Sequence, residues 1–210
     1  MGNYFAGAAR YEVTQDFYDK DHYYNPVIYE YQLANISKTS YTQTLTSYAE
    51  RTRKLLTRDV IVNVMVDLEK RIPTPVPDTF VKHFTDVAVL ASDVKVPPIL
   101  PVSKPADALK HDVQVDTTCM DYYYHTNQAN YIKFAHDAAS VLTFNGQLKL
   151  GHKDFAQERI KMMEMIYKSE SNAGDRLTVH CWQSNERELS FQIENAADSR
   201  VVFQTRFEMY

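Results

Sequence analysis

The chain has 210 residues, of which 44% are hydrophobic and 24% charged, and its formal net charge is −4. This length and composition suffice for a buried core without disulfides or structural metals. The acidic balance argues against the basic surface of a nucleic-acid-binding protein, and no apolar run approaches the ~20 residues that span a bilayer.

The sequence predicts neither a secretory signal nor a metal site. The first residues, MGNYFAGAAR, do not combine a basic start with an apolar segment, as a secretory signal does. Neither the two cysteines, Cys119 and Cys181, nor the histidines show the spacing of metal ligands. We therefore expect a cytoplasmic protein with no metal, no cofactor and no nucleic-acid or membrane partner.

The first 71 residues predict a meander of antiparallel strands. Runs rich in Tyr, Val, Ile and Thr have the composition and length of strands, and they lie at 9–18, 27–36, 41–48 and 54–67. All prolines except Pro26 then fall between Pro73 and Pro105, and proline removes a donor that a central strand needs. Residues 72–107 are therefore predicted to be a surface linker, with a short helix over 78–90 that opens with Asp78 as its N-cap.

The second half predicts a strand, a long helix and an antiparallel meander, in that order. A strand is expected over 111–120, with Val113, Val115 and Thr117 on one face. The helix is expected over 125–142, because apolar residues recur there at helical spacing: Tyr131, Phe134, Ala135, Ala138, Val141 and Leu142. Four strands follow at 158–168, 176–183, 187–194 and 200–209, joined by connectors rich in turn formers.

The two halves repeat one pattern at an offset of about 147 residues. The runs at 27–36, 41–48 and 54–67 have the lengths and gaps of the last three strands, and 9–18 falls where strand 158–168 would be. Nothing in the first half takes the place of the strand 111–120 or of the helix. The sequence therefore predicts a partial repeat over 1–71, a linker over 72–107 and a complete repeat over 108–210.

The start of the long helix carries the residues with the most evident chemistry. The segment MDYYYHTNQANYI (120–132) places an acidic residue at a strand end, a polar and aromatic turn, and a helix that begins at His125 or Thr126. The first amides of a helix lack intrahelical partners and lie at the positive end of its dipole, so they can stabilise an oxyanion. Asp121 lies just upstream, where a carboxylate can serve as general base or as nucleophile.

This segment resembles the signature of hotdog-fold acyl-CoA and acyl-acyl-carrier-protein thioesterases, which reads roughly D-x-x-x-H-x-N-N-x-x-Y. The pattern is met by Asp121, His125, Asn127 and Tyr131, and the likeness covers 107–210 well and 9–77 weakly. It implies an α+β hotdog fold, in which a long central helix is wrapped by an antiparallel sheet. The repeat further indicates a double hotdog with a reduced first repeat.

The resemblance also implies an activity, which is hydrolysis of an acyl thioester of CoA or a carrier protein to the free acid in lipid metabolism. Asp121 matches the catalytic aspartate, while His125 and Asn127 match residues that position the thioester. Tyr123, Thr126, Gln128 and Tyr131 are the expected substrate-binding residues. Tyr123 and Gln128 stand where members of the family have asparagines, and this departure bears on the mechanism. A homodimer or a higher homo-oligomer is compatible with the reduced first repeat.

Several alternatives stay open at this level. His125 and Asp121 are also the residue types with which hotdog dehydratases act on 3-hydroxyacyl thioesters. A non-catalytic hotdog protein that binds an acyl chain or another hydrophobic ligand fits the same fold. Cys119 lies two residues before Asp121, where it is either a buried small side chain or a nucleophile paired with His125. Asp121 can equally be a turn former, and His125 can pack among the tyrosines at 122–124.

Overall fold

A computed structural model describes residues 3–19, 26–90, 98–152 and 154–210. The chain divides into two compact units, Met1–Ile99 and Leu100–Tyr210. None of the described helices is both long enough and apolar enough to cross a bilayer.

The first unit is an antiparallel sheet with one helix packed on it. Its strands are β1 (Asn3–Val13), β2 (Val27–Ile36), β3 (Ser40–Ala49), β4 (Leu55–Asp67) and the two-residue β5 (Ile72–Pro73). Their order is β2-β3-β4-β1, with β5 paired to β4. The helix α1 follows at Asp78–Leu90.

The helix α1 belongs to the core of this first unit. Leu33, Tyr41, Met65 and Val76 form a buried cluster, and apolar side chains of α1 pack against it, namely Phe80, Val81 and Phe84. The helix predicted over 78–90 is thus confirmed, although Asp78 is its first helical residue and not its N-cap. The expectation that the whole of 72–107 is a surface linker is wrong, because the side chains of α1 complete a hydrophobic core.

The second unit has the order strand, long helix, meander that the sequence predicts. Its elements are β6 (Leu109–Gln114), α2 (Gln128–Phe144), β7 (Ile160–Tyr167), β8 (Arg176–Asn185), β9 (Glu188–Asn195) and β10 (Val201–Met209). The strands pair antiparallel in the order β7-β10-β9-β8-β6. The four predicted strands of the meander are confirmed to within two residues at each end.

The predicted stripe of α2 faces the core of the second unit at five of its six positions. Tyr131, Phe134, Ala135, Ala138 and Leu142 are buried, and the ring of Tyr131 stacks on Phe203 with centroids 5.4 Å apart. Val141 is 41% exposed, so its assignment to the core is wrong. Ala139 and Thr143 are buried instead, which shows that the stripe is rotated toward these residues.

The strands predicted over 111–120 and 9–18 have different bounds in the structure. The strand expected over 111–120 ends at Gln114, because the Asp116 carboxylate accepts the Thr118 amide and starts a 3-10 turn at Thr117–Cys119. Thr117 is therefore exposed and leaves the face that it was expected to share with Val115. The strand expected at 9–18 lies earlier, at Asn3–Val13, and a 3-10 turn occupies Gln15–Tyr18.

The sheets of the two units correspond strand for strand over four strands. The order β1-β4-β3-β2 in the first unit matches β7-β10-β9-β8 in the second. Among the described residues of the first unit, no strand pairs with β2 as β6 pairs with β8. The long helix α2 precedes β7 in the second unit, whereas α1 follows the strands of the first unit. The correspondence between the two units therefore covers the four strands of the meander.

Candidate functional site

The turn at 120–127, which joins the 3-10 turn to α2, is organised by Asp121. Its carboxylate oxygen Oδ1 accepts the backbone amides of Tyr123 at 2.8 Å and His125 at 3.3 Å. Its backbone amide donates to the carbonyl of His125 at 2.8 Å, and its carbonyl accepts from Tyr124 at 3.1 Å. Tyr124 takes a left-handed backbone conformation, with φ of 60°, to close this turn. Asp121 is thus fixed in place by four hydrogen bonds within five residues of chain.

The second oxygen of the Asp121 carboxylate, Oδ2, does not take part in these hydrogen bonds. Within the described ranges, Oδ2 of the half-buried Asp121 accepts no hydrogen bond. The two amides that donate to Oδ1 orient the carboxylate, and the lone pairs of Oδ2 are able to accept a further hydrogen bond or a proton. Asp121 therefore acts both as a turn former and as a preoriented carboxylate, so the two alternatives weighed for it are compatible.

The ring of His125 pairs with a carboxylate that the sequence does not predict. Nε2 of His125 lies 3.3 Å from Oε2 of Glu170, and the His125 side chain is mostly buried. Donation to the carboxylate requires the proton on Nε2, which leaves the lone pair of neutral histidine on Nδ1. Glu170 lies in the connector between β7 and β8, where no spacing relative to the D-x-x-x-H pattern identifies it. The tyrosines at 122–124 are exposed, and packing of the His125 ring among them stays a prediction.

A buried hydrogen-bond cluster brings Glu170 to this position. We refer to Thr126, Tyr131 and Ser171 as the Ser171 cluster. The carbonyl of Ser171 accepts the amide of Thr126 at 3.0 Å and its hydroxyl at 2.9 Å. The hydroxyl of Ser171 lies 2.8 Å from that of Thr126 and 2.9 Å from that of Tyr131, which also accepts the Ser171 amide at 3.1 Å. Burial raises the pKa of Tyr131, consistent with a neutral hydroxyl in this network.

Two of the predicted substrate-binding residues, Thr126 and Tyr131, have a structural role in the Ser171 cluster. Thr126 and Tyr131 are buried, and their hydroxyls are used to hold the β7–β8 connector against the start of α2. Their contact with a substrate stays a prediction. Gln128 is the first residue of α2 and half-buried, and Tyr123 is exposed next to Asp121.

Asn127 is the N-cap of α2. Its side-chain oxygen accepts the amide of Ala129 at 3.0 Å, and its carbonyl accepts the amide of Asn130 at 2.9 Å. The helix therefore begins at Gln128 and not at His125 or Thr126. Asn127 thus accepts two amides of the first turn, those of Ala129 and Asn130, and neither of these is open to an oxyanion. Stabilisation of an oxyanion at the start of α2 stays a prediction. Within the described ranges, the side-chain NH2 of Asn127 makes no hydrogen bond.

Cys119 has a structural position in the turn. Its carbonyl accepts the amide of Asn127 at 2.8 Å and the side-chain NH2 of Asn130 at 2.9 Å, and its side chain is buried. In the described part of the chain no hydrogen bond joins its sulfur to His125, so the Cys119–His125 nucleophile pair gains no support. The described residues also contain no group of three or more His, Cys, Asp or Glu side chains that could hold a metal ion.

Solved structures share this architecture across the whole chain. A 12:0-ACP thioesterase from Umbellularia californica matches with a TM-score of 0.74 and 14% identity, over 99% of this chain and 75% of that one. An acyl-ACP thioesterase from Bacteroides thetaiotaomicron gives 0.66 and 16%, over 99% and 76%. A MaoC-like dehydratase from Phytophthora capsici gives 0.60 and 12%, over 100% and 74%. The sequence matches no protein-family model and no curated protein.

At these identities the likeness shows the fold. The chain is an α+β double hotdog, with a long central helix on an antiparallel sheet in its second unit. The fold expected from the D-x-x-x-H-x-N pattern is therefore confirmed. Because proteins of this fold perform different reactions, the function depends on the site itself.

Proposed function

We propose that the protein hydrolyses acyl thioesters of CoA or a carrier protein to the free acid. The observation that carries the proposal is the Asp121 carboxylate, oriented through Oδ1 and free at Oδ2, in the same turn as the paired imidazole of His125. Similarity in fold to two acyl-ACP thioesterases supports the same reaction. A cytoplasmic role in lipid metabolism belongs to this proposal.

Asp121 is the proposed general base. Its Oδ2 accepts a proton from a water molecule as the water oxygen adds to the thioester carbonyl carbon. The C–O bond forms, the carbonyl π electrons move to oxygen, and a tetrahedral oxyanion results. Collapse of this intermediate breaks the C–S bond and releases the thiol. Attack by Oδ2 itself on the carbonyl carbon, followed by hydrolysis of the anhydride, is the nucleophilic form of the same role.

Asn127 is proposed to act on the carbonyl oxygen of the thioester, and His125 on its sulfur. The NH2 of Asn127 donates to the thioester oxygen, where negative charge develops. Glu170 holds the His125 ring through Nε2, and the Nδ1 lone pair is proposed to accept the proton that Asp121 took from water and to pass it to the departing sulfur, which leaves as the thiol. Tyr123 and Gln128 flank these residues and remain proposed substrate contacts, together with Thr126 and Tyr131.

Substitution of Asp121 by asparagine tests the proposal. Asn retains an oxygen for the amides of Tyr123 and His125, so the turn is kept while the base is lost. We expect kcat for thiol release from acyl-CoA or acyl-carrier-protein substrates to fall by about 100- to 10,000-fold. The matched control is Asp116→Asn, which keeps its cap on the 3-10 turn at Thr117–Cys119 and should hydrolyse at the wild-type rate. Undiminished turnover by Asp121→Asn removes Asp121 from the chemistry.

The His125–Glu170 pair also favours a second candidate, dehydration of a 3-hydroxyacyl thioester. That reaction needs an acid and a base near one substrate, and a histidine paired with a carboxylate is a suitable catalyst. Incubation with a 3-hydroxyacyl-CoA distinguishes the two. Enoyl product without released thiol favours dehydration, and free thiol favours hydrolysis. A ligand that co-purifies unaltered, with neither product formed, favours a binding protein.

A further inference from the structure

Strand β2 is hydrogen-bonded on one side only. Its residues from Val27 to Ile36 pair antiparallel with β3, and β2 stands at the end of the strand order. Over the described ranges, no residue pairs with its opposite edge. In an antiparallel strand about half of the backbone N–H and C=O groups point to each side, so a row of these groups along β2 has no partner among the residues that the structure describes.

In the second unit, the strand that corresponds to β2 is paired on both sides. Strand β8 takes the same place in its unit, pairing with β9 on one side and with β6 on the other. The pairing with β6 is antiparallel and runs from Leu109 to Gln114. The first unit has no described strand in the position of β6, so its edge has the geometry of a pairing site without the partner strand.

The side chains of β2 lack the usual protection of an edge strand. Tyr29 and Tyr31 are 64% and 60% exposed and lie on the same face of the strand. The sequence VIYEYQLANI contains no lysine or proline, the residues that commonly block edge pairing, and Glu30 is its only charge. A ten-residue edge of this composition favours addition of another strand.

We propose that β2 pairs antiparallel with β2 of a second copy of this chain, around a two-fold axis at Tyr31. In this register Tyr31 faces Tyr31, Tyr29 faces Leu33, and Glu30 faces the amide of Gln32. A two-fold axis at Glu30 would instead place two carboxylates opposite each other, which is unfavourable. The pairing is isologous, as in most homodimers, and it gives each β2 the neighbour that β8 already has.

Light scattering of the full chain over a concentration series tests the proposal. We expect a wild-type dimer, and we expect Tyr31→Lys to raise its dissociation constant at least about tenfold, because two ammonium groups then lie opposite each other. An equimolar mixture of Tyr31→Lys and Tyr31→Glu should recover the dimer, since opposite charges then meet. The control is Phe144→Lys, which changes a side chain that is 86% exposed in the second unit and should leave the dimer intact.

A cysteine substitution tests the register directly. Opposed residues in an antiparallel pair have Cα atoms about 4.5–5.5 Å apart, within disulfide range. Tyr31→Cys should therefore form a covalent dimer on mild oxidation, whereas the buried Cys119 and Cys181 should not cross-link the wild type. A wild-type monomer at roughly 100 μM overturns the proposal. A dimer that tolerates Tyr31→Lys, or a charge mixture that stays monomeric, overturns it as well.

Discussion

Removal of the Tyr131 hydroxyl is the most direct test of the Ser171 cluster. In Tyr131→Phe the ring is kept, so its stacking on Phe203 and the volume of the core are preserved. Two hydrogen bonds are lost, one with the Ser171 hydroxyl and one from the Ser171 amide. The amide is then left buried without an acceptor, whereas the Ser171 hydroxyl keeps Thr126.

The expected cost follows from these losses. The lost hydrogen bond with the Ser171 hydroxyl costs about 1 kcal/mol net, and the buried Ser171 N–H left without an acceptor costs about 1–3 kcal/mol. The free energy of unfolding of the second unit should therefore fall by about 2–4 kcal/mol. Ser171→Ala should cost less, about 1–2 kcal/mol, because Thr126 and Tyr131 each retain a bond to the Ser171 backbone.

Urea unfolding followed by tryptophan fluorescence measures this change. The only tryptophan of the chain, Trp182, lies in β8, so its signal reports on the second unit. Tyr124→Phe is the matched control, since Tyr124 is exposed and its hydroxyl has no such network. The assigned hydrogen bonds would be refuted if Tyr131→Phe lowered the free energy of unfolding by less than about 0.5 kcal/mol, or if Ser171→Ala lowered it by more than Tyr131→Phe does.

Two other sets of substitutions test the charge of Asp59 and the two functions proposed for the Asn127 side chain. Burial raises the pKa of Asp59 in β4 to about 6. Because this exceeds the unfolded value of 3.8, protonation favours folding, and stability rises as the pH falls from above 6 toward 4. Asp59→Asn should thus stabilise the first unit by about 1 kcal/mol at pH 7.5, after discounting for solvent screening, and have little effect at pH 4. Circular dichroism melts at both pH values check this, and an equal shift at both contradicts it. Asn127→Asp keeps the cap oxygen and loses the NH2, so it should preserve stability but lower kcat, whereas Asn127→Ala should also lose about 1 kcal/mol. Equal turnover by Asn127→Asp and the wild type would limit Asn127 to capping.

The sequence predicts the elements whose patterns are local. The meander of the second unit follows from alternating residues and turn-forming connectors, and α2 follows from its stripe of buried residues. The boundaries were missed where a polar side chain competes for backbone amides, as Asp116 does after β6 and Asn127 does before α2. Apolar periodicity carries no information about such caps, so the strand was predicted too long and the helix too early.

Other features depend on tertiary contacts that the sequence does not encode locally. Glu170 meets His125 only because the Ser171 cluster holds two separate segments together. The helix α1 was predicted correctly as a helix, but its place in the core depends on Leu33, Tyr41 and Met65 in three different strands. The candidate site was therefore predicted at Asp121, His125 and Asn127, and its fourth member was not.

The contact between His125 and Glu170 has a consequence for the order of folding. Both residues lie in connections, one before α2 and one between β7 and β8, and a whole helix separates them along the chain. Closing that separation costs loop entropy, which the packing of α2 and the buried hydroxyls must offset. We therefore expect the imidazole–carboxylate pair to form only after the helix has docked on its sheet. A partly folded second unit should lack this contact.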